Sequence, residues 1–132
     1  IGRYRVPLLF FHPKKSLNEL ESTRLTQHAD ILPSVLDFLQ VQNRHKLLFG
    51  SSVFSNNDGR VINYINGNYF FYKDQFMLRF DRNKAALYRF DENLLNMKAV
   101  DDQQVKHYML QELKAYIQYT NNGLKLNNIY DL

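Results

Sequence analysis

At 132 residues, with 45% hydrophobic and 14% aromatic side chains, the chain is long enough for one domain with a real core and too apolar for disorder. Its net charge of +4 comes from 17 basic and 13 acidic residues that are scattered rather than clustered, which argues against a nucleic-acid-binding face. The absence of cysteine excludes disulfides, thiolate chemistry and cysteine-based metal sites, and no stretch approaches the roughly 20 apolar residues that insert across a bilayer.

In chain order, residues 4–11 (YRVPLLFF) form a short continuous apolar run that predicts a buried strand, with Pro7 at its entrance. Residues 12–23 are polar and loop-like, and 24–30 form a short extended segment. A helix is predicted over 31–40. Asp30 and Pro33 mark its start, and Leu32, Val35, Leu36 and Leu39 form the stripe expected to bury one face. Residues 41–46 make a polar link and a plausible boundary, dividing the chain into 1–42 and 43–132.

Beyond that link the period changes to two. Strands are predicted over 60–66, 68–73, 75–81 and 85–91, separated by turns at Asn66-Gly67, Lys73-Asp74 and 81–84, with a further turn at 56–59. This predicts a four-stranded antiparallel meander. The helical period returns over 102–119, where Val105, Met109, Leu113, Tyr116 and Ile117 form a stripe. Asp101 and Asp102 suit its N-terminus, and Asn121-Asn122-Gly123 supplies a stop. This helix is expected to pack across the meander, with the last nine residues as a loose tail.

Three motifs stand in a fixed order: VPLLFFHP (6–13), QHADILPSVLDFL (27–39) and LLFGSSVF (47–54). Their order and spacing resemble the C-terminal third of the sulfatase and alkaline-phosphatase superfamily, nearest to the lipoteichoic-acid-synthase-like sulfatases of bacteria. Those proteins show an (I/V)P(L/I) strand, a (H/V)D(I/L)xPT(L/V)L helix and an FG(x)S(L/V)F turn; Ser34 stands here where Thr is usual. Residues 87–102 resemble the family's exit from its last strand, although its Asp-Pro is missing. The resemblance spans roughly residues 4–117 and is densest before residue 55.

It implies an α/β fold, α+β in this fragment alone. Residues 1–42 would supply the last strand and helix of the catalytic domain, and 43–132 a C-terminal subdomain. It also implies a parent enzyme that uses a Thr or Ser nucleophile at a divalent metal (Zn, Mn, Mg or Ca) to transfer phosphoglycerol or phosphoethanolamine, or to hydrolyse sulfate or phosphate esters. The nucleophile and the Asp-His ligand pair of such an enzyme would lie upstream of Ile1, and neither motif occurs in this chain. The start without Met, directly into a strand, reads as a piece of a longer polypeptide. An extracytoplasmic or periplasmic location and a membrane-anchored parent are likewise what the resemblance implies.

No catalytic, cofactor-binding or metal-binding residue is therefore assigned within the chain. His12, His28, His45 and His107 include no pair at metal-ligand helical spacing. His28 and Asp30, two apart on a strand, would point the same way, but packing for His28 and capping for Asp30 explain them more simply. His12 leaves the C-terminal end of the first strand, where open α/β sheets place ligands, so His12 and His28 are the candidate cleft-lining residues. The pairs Asp101-Asp102 and Asp91-Glu92 read as capping and turn charge, and Ser51-Ser52 belongs to no phosphate loop.

The expected role is structural: an inactive C-terminal part whose partner is the remainder of the parent catalytic domain. Self-association is expected where the apolar VPLLFF strand lacks sheet neighbours. The rival reading is a stand-alone binding or oligomerisation module, with Tyr64, Tyr69, Tyr72, Tyr88, Tyr116 and Tyr119 forming a sugar- or protein-binding platform.

Overall fold

The computed structural model describes residues 8–14, 24–41, 50–56, 58–91 and 96–126. A 3-10 turn (His28–Asp30) leads into α1 (Ile31–Phe38); strands β1 (Arg60–Ile65), β2 (Asn68–Lys73), β3 (Phe76–Asp81), β4 (Lys84–Phe90) and β5 (Met97–Ala99) follow, and α2 (Gln103–Leu126) ends the described chain. The strands form one antiparallel sheet in the order β1-β2-β3-β4-β5.

The meander is built by its turns. Asn66 and Gly67 both take positive φ (49° and 81°), the two-residue hairpin geometry whose twist matches the flanking strands. Asp74 and Arg82 adopt positive φ in the next two turns. The sheet has five strands rather than the predicted four. Residues 97–99 fold back on β4, and the loop between them is tied where Asn96 Nδ2 donates to Asp91 Oδ2 (2.6 Å). Three residues are too short for an alternating pattern to register, which is why the extra strand escaped the sequence.

Alternation then sorts the faces. Phe71, Leu78 and Leu87 stand in register across β2, β3 and β4 and meet Met109 and Leu113 of α2 in the buried core. Phe71, Leu78 and Leu113 are fully buried, worth about 1.5–3 kcal/mol each. Glu112 fixes the helix to the sheet by accepting from Arg60 Nη1 (3.1 Å) and Lys73 Nζ (2.8 Å). Asp102 caps α2 by accepting from Val105 N (3.0 Å).

α2 does not stop at Asn121-Asn122-Gly123, as those residues predicted, but runs on to Leu126. Gly123 is buried, so packing at that turn overrides a local stop signal. Of the nine residues expected as a loose tail, 124–126 are the last of α2, and the remainder lie outside the described residues, as do Pro7, His45 and Glu92.

The first part of the chain departs further from expectation. Residues 8–11 take no strand, and Leu9 and Phe11 are 87% and 80% exposed. No strand among the described residues pairs with them, so the run has no ladder to complete.

Candidate functional site

The residues that carry the family resemblance meet at one junction built around α1. Phe10 packs edge-on against Phe54 (5.2 Å between ring centroids), the His12 ring lies tilted against Phe38 (5.8 Å), and Phe38 lies 6.1 Å from Phe54. The three motifs, far apart in sequence, thus form one packed unit.

Its centre is polar. Asp30, only 3% exposed, accepts from the backbone N–H of Gln27 at Oδ2 and of Ser51 at Oδ1, both at 2.9 Å. The carboxylate therefore ties two chain segments together rather than capping α1, which has no side-chain cap. Ser34 is fully buried: its hydroxyl donates to the Asp30 carbonyl (2.5 Å) and accepts from Val53 N (2.9 Å). Ser52 Oγ donates to Asp37 Oδ2 (2.5 Å) and accepts from Phe54 N (3.1 Å). Arg24 adds donors to the Ser55 carbonyl and Ser51 Oγ, each at 2.8 Å.

Two glycines permit the approach. A Cβ on Gly50 would stand 1.9 Å from the Ala29 carbonyl oxygen, and one on Gly59 would stand 1.9 Å from that of Leu25. Side chains there would force the 24–30 segment away from its partners. Gln27 Oε1 then accepts from Ile62 N (3.1 Å), joining the junction to the free edge of β1.

Chemically, this is a clamp. Ser34 both donates and accepts within backbone bonds, and no base stands behind it as a nucleophile requires. His28 and Asp30 do not share a face: the segment is a 3-10 turn, with His28 exposed and Asp30 buried. His12 Nδ1 accepts from Lys14 N (3.1 Å) while its ring lies by Phe38. Among the described residues, no three or more His, Asp or Glu form a group able to hold a metal ion.

The outer surface of α1 inverts the predicted arrangement. Ile31, Leu32, Val35 and Leu39 fall within about 100° of arc at 3.6 residues per turn, and all four are exposed, Leu32 at 52% and Leu39 at 60%. Of the predicted stripe, Leu32, Val35 and Leu39 face outward together with Ile31, while Leu36 is half-buried; the only fully buried residue of the helix is Ser34. The clamp explains the inversion, because satisfying Asp30, Ser34 and Asp37 turns their side of the helix onto the 50–56 loop.

The tyrosines do not form one platform. The register places Tyr64 and Tyr69 on the face under α2, their rings 4.6 Å apart, and Tyr72 and Tyr88 on the opposite face. Tyr116 lies on α2, where burial lifts its phenol above the usual value. Periodicity could have separated the two strand sets, since 64 and 69 pair directly while 72 and 88 both flank Met77. No protein-family model matches the chain, and no curated protein or solved structure matches it.

Proposed function

We propose that this chain is the C-terminal part of a sulfatase-like, metal-dependent transferase or ester hydrolase of a bacterial envelope, and that it serves as a buttress without chemistry of its own. The observation that carries this reading is the inverted helix α1. A helix that turns Ser34 inward and Ile31, Leu32, Val35 and Leu39 outward makes physical sense where a second body covers it. Leu9 and Phe11 extend the exposed apolar surface beside it. The convergence of the three motif segments on one clamp supports the same reading, as parts of one inherited unit would pack together.

On this proposal Asp30 and Ser34 are positioning residues for the helix. The nucleophile and divalent metal belong to upstream residues, and the partner is the rest of the catalytic domain. The test is the polypeptide encoded upstream of Ile1. The expected result is a Thr- or Ser-centred nucleophile motif and an Asp-His pair there, metal-dependent turnover of nitrophenyl phosphate or sulfate esters by the longer protein, and none by residues 1–132. Turnover by the 132-residue chain alone, or an initiator codon immediately before Ile1, would overturn the proposal and favour a stand-alone binding module.

A further inference from the structure

α2 is about 36 Å long at 1.5 Å per residue, and its C-terminal half passes Phe80 of β3. There a groove of about 390 Å³ is lined by Phe80, Lys114, Ile117, Gln118, Asn121 and Asn122. The five helix residues recur at i, i+3, i+4, i+7 and i+8, so a single stripe of α2 forms one wall. Phe80 forms the other, with Lys114 Nζ over its ring at 5.9 Å.

Two features mark the polar wall of the groove. Asn121 and Asn122 stand consecutively inside a helix although Asn is a poor helix former, and both line the groove. Gln118, Asn121 and Asn122 are exposed, so their carboxamides are open to solvent at the groove. The aromatic surface also continues beyond the groove: Phe80 pairs across the sheet with Tyr69, and Tyr69 with Tyr64, which is 61% exposed.

We propose that this groove binds an acidic saccharide. Carboxamides match sugar hydroxyls as paired donors and acceptors. Phe80 and Ile117 offer apolar surface to the C–H face of a pyranose, and Lys114 supplies the point charge for a carboxylate or ester anion. The proposal stands on the groove alone and does not depend on the chain's belonging to a larger enzyme.

Side-chain amide signals make the test direct. The 132-residue chain, labelled with nitrogen-15, is titrated with tetragalacturonate as the acidic probe and maltotetraose as the neutral one. Tetragalacturonate is expected to shift the Gln118, Asn121 and Asn122 carboxamide resonances saturably. Lys114→Gln is expected to weaken binding about tenfold, and Asn121→Ala about threefold to tenfold. Lys125→Gln, on the same helix outside the groove, is expected to leave binding unchanged. The inference is overturned if these three carboxamides stay unshifted at about 10 mM probe. Equal losses from Lys114→Gln and Lys125→Gln, or equal binding of the neutral sugar, would overturn it as well.

Discussion

Replacing Asp30 by Asn is the sharpest probe of the clamp, because it preserves shape while removing half of its accepting capacity. Each carboxylate oxygen takes one backbone N–H, from Gln27 and from Ser51, at 2.9 Å. An Asn side chain keeps one accepting oxygen and presents an NH2 group to the other donor. One charge-assisted hydrogen bond is lost and one nearly buried N–H is left facing a donor, which together cost about 2–4 kcal/mol. Because the clamp meets the sheet at its β1 edge, where Gln27 accepts from Ile62 N and Gly59 lies against Leu25, the cost is expected to fall on local opening rather than on global unfolding. Native-state amide exchange reads this residue by residue. At about 1.4 kcal/mol per tenfold, the Gln27 and Ser51 amides should exchange about 30- to 1,000-fold faster, with Phe71 and Leu78 unchanged. Unaltered exchange at Gln27 and Ser51 would refute the assignment of Asp30 as the tie between the two segments.

Two further outcomes follow from the same geometry. Ile31, Leu32, Val35 and Leu39 of α1 are exposed, and so are Leu8, Leu9, Phe11 and Val41, uncovered apolar side chains that favour association. The isolated chain is therefore expected to self-associate in sedimentation velocity, and Leu32→Glu with Leu39→Glu to return it to a monomer; a wild-type chain that stays monomeric at high concentration contradicts this. Stability is expected to fall in alkali. Burial opposes the charge on Lys73, but Glu112 and Tyr108 outweigh it and raise its pKa above 10.5, while burial raises Tyr116 above 10.0. Both groups hold their protons more tightly when folded, so their contribution is complete below about pH 10 and lost as pH rises through the folded values. Denaturant midpoints should decline across that window, less steeply in Lys73→Met; a flat profile contradicts the assignment.

The meander was legible because its turns are chemically specific: Asn66-Gly67 can hardly be read as anything but a hairpin. The core stripe Val105, Met109, Leu113 and Ile117 was legible for a similar reason, since one period served both helix and packing. Leu32, Val35 and Leu39 misled because periodicity identifies an apolar face but not what it faces. The opposite side of that helix carries more demanding groups, and an Asp and a Ser that must be satisfied set its orientation. The clamp itself lay beyond sequence reading: Gly50 and Gly59 acquire meaning only when the carbonyls of Ala29 and Leu25 are known to stand against them. The groove at Phe80 was hidden similarly, since Asn121 and Asn122 read locally as a helix stop.

The claim that the outward face of α1 belongs against another body can be tested by thiol labelling, and the absence of cysteine from these 132 residues leaves no background within them. Leu39→Cys and Leu32→Cys are made in the 132-residue chain and in the longer polypeptide that the proposed function requires. Both thiols should react freely in the 132-residue chain at a concentration where it is monomeric, and at least about tenfold more slowly in the longer protein, since thiol reactivity follows access. A Tyr64→Cys thiol, on the exposed end of β1, serves as the reference for rate. Equal reactivity of Leu39→Cys in both proteins would contradict the account.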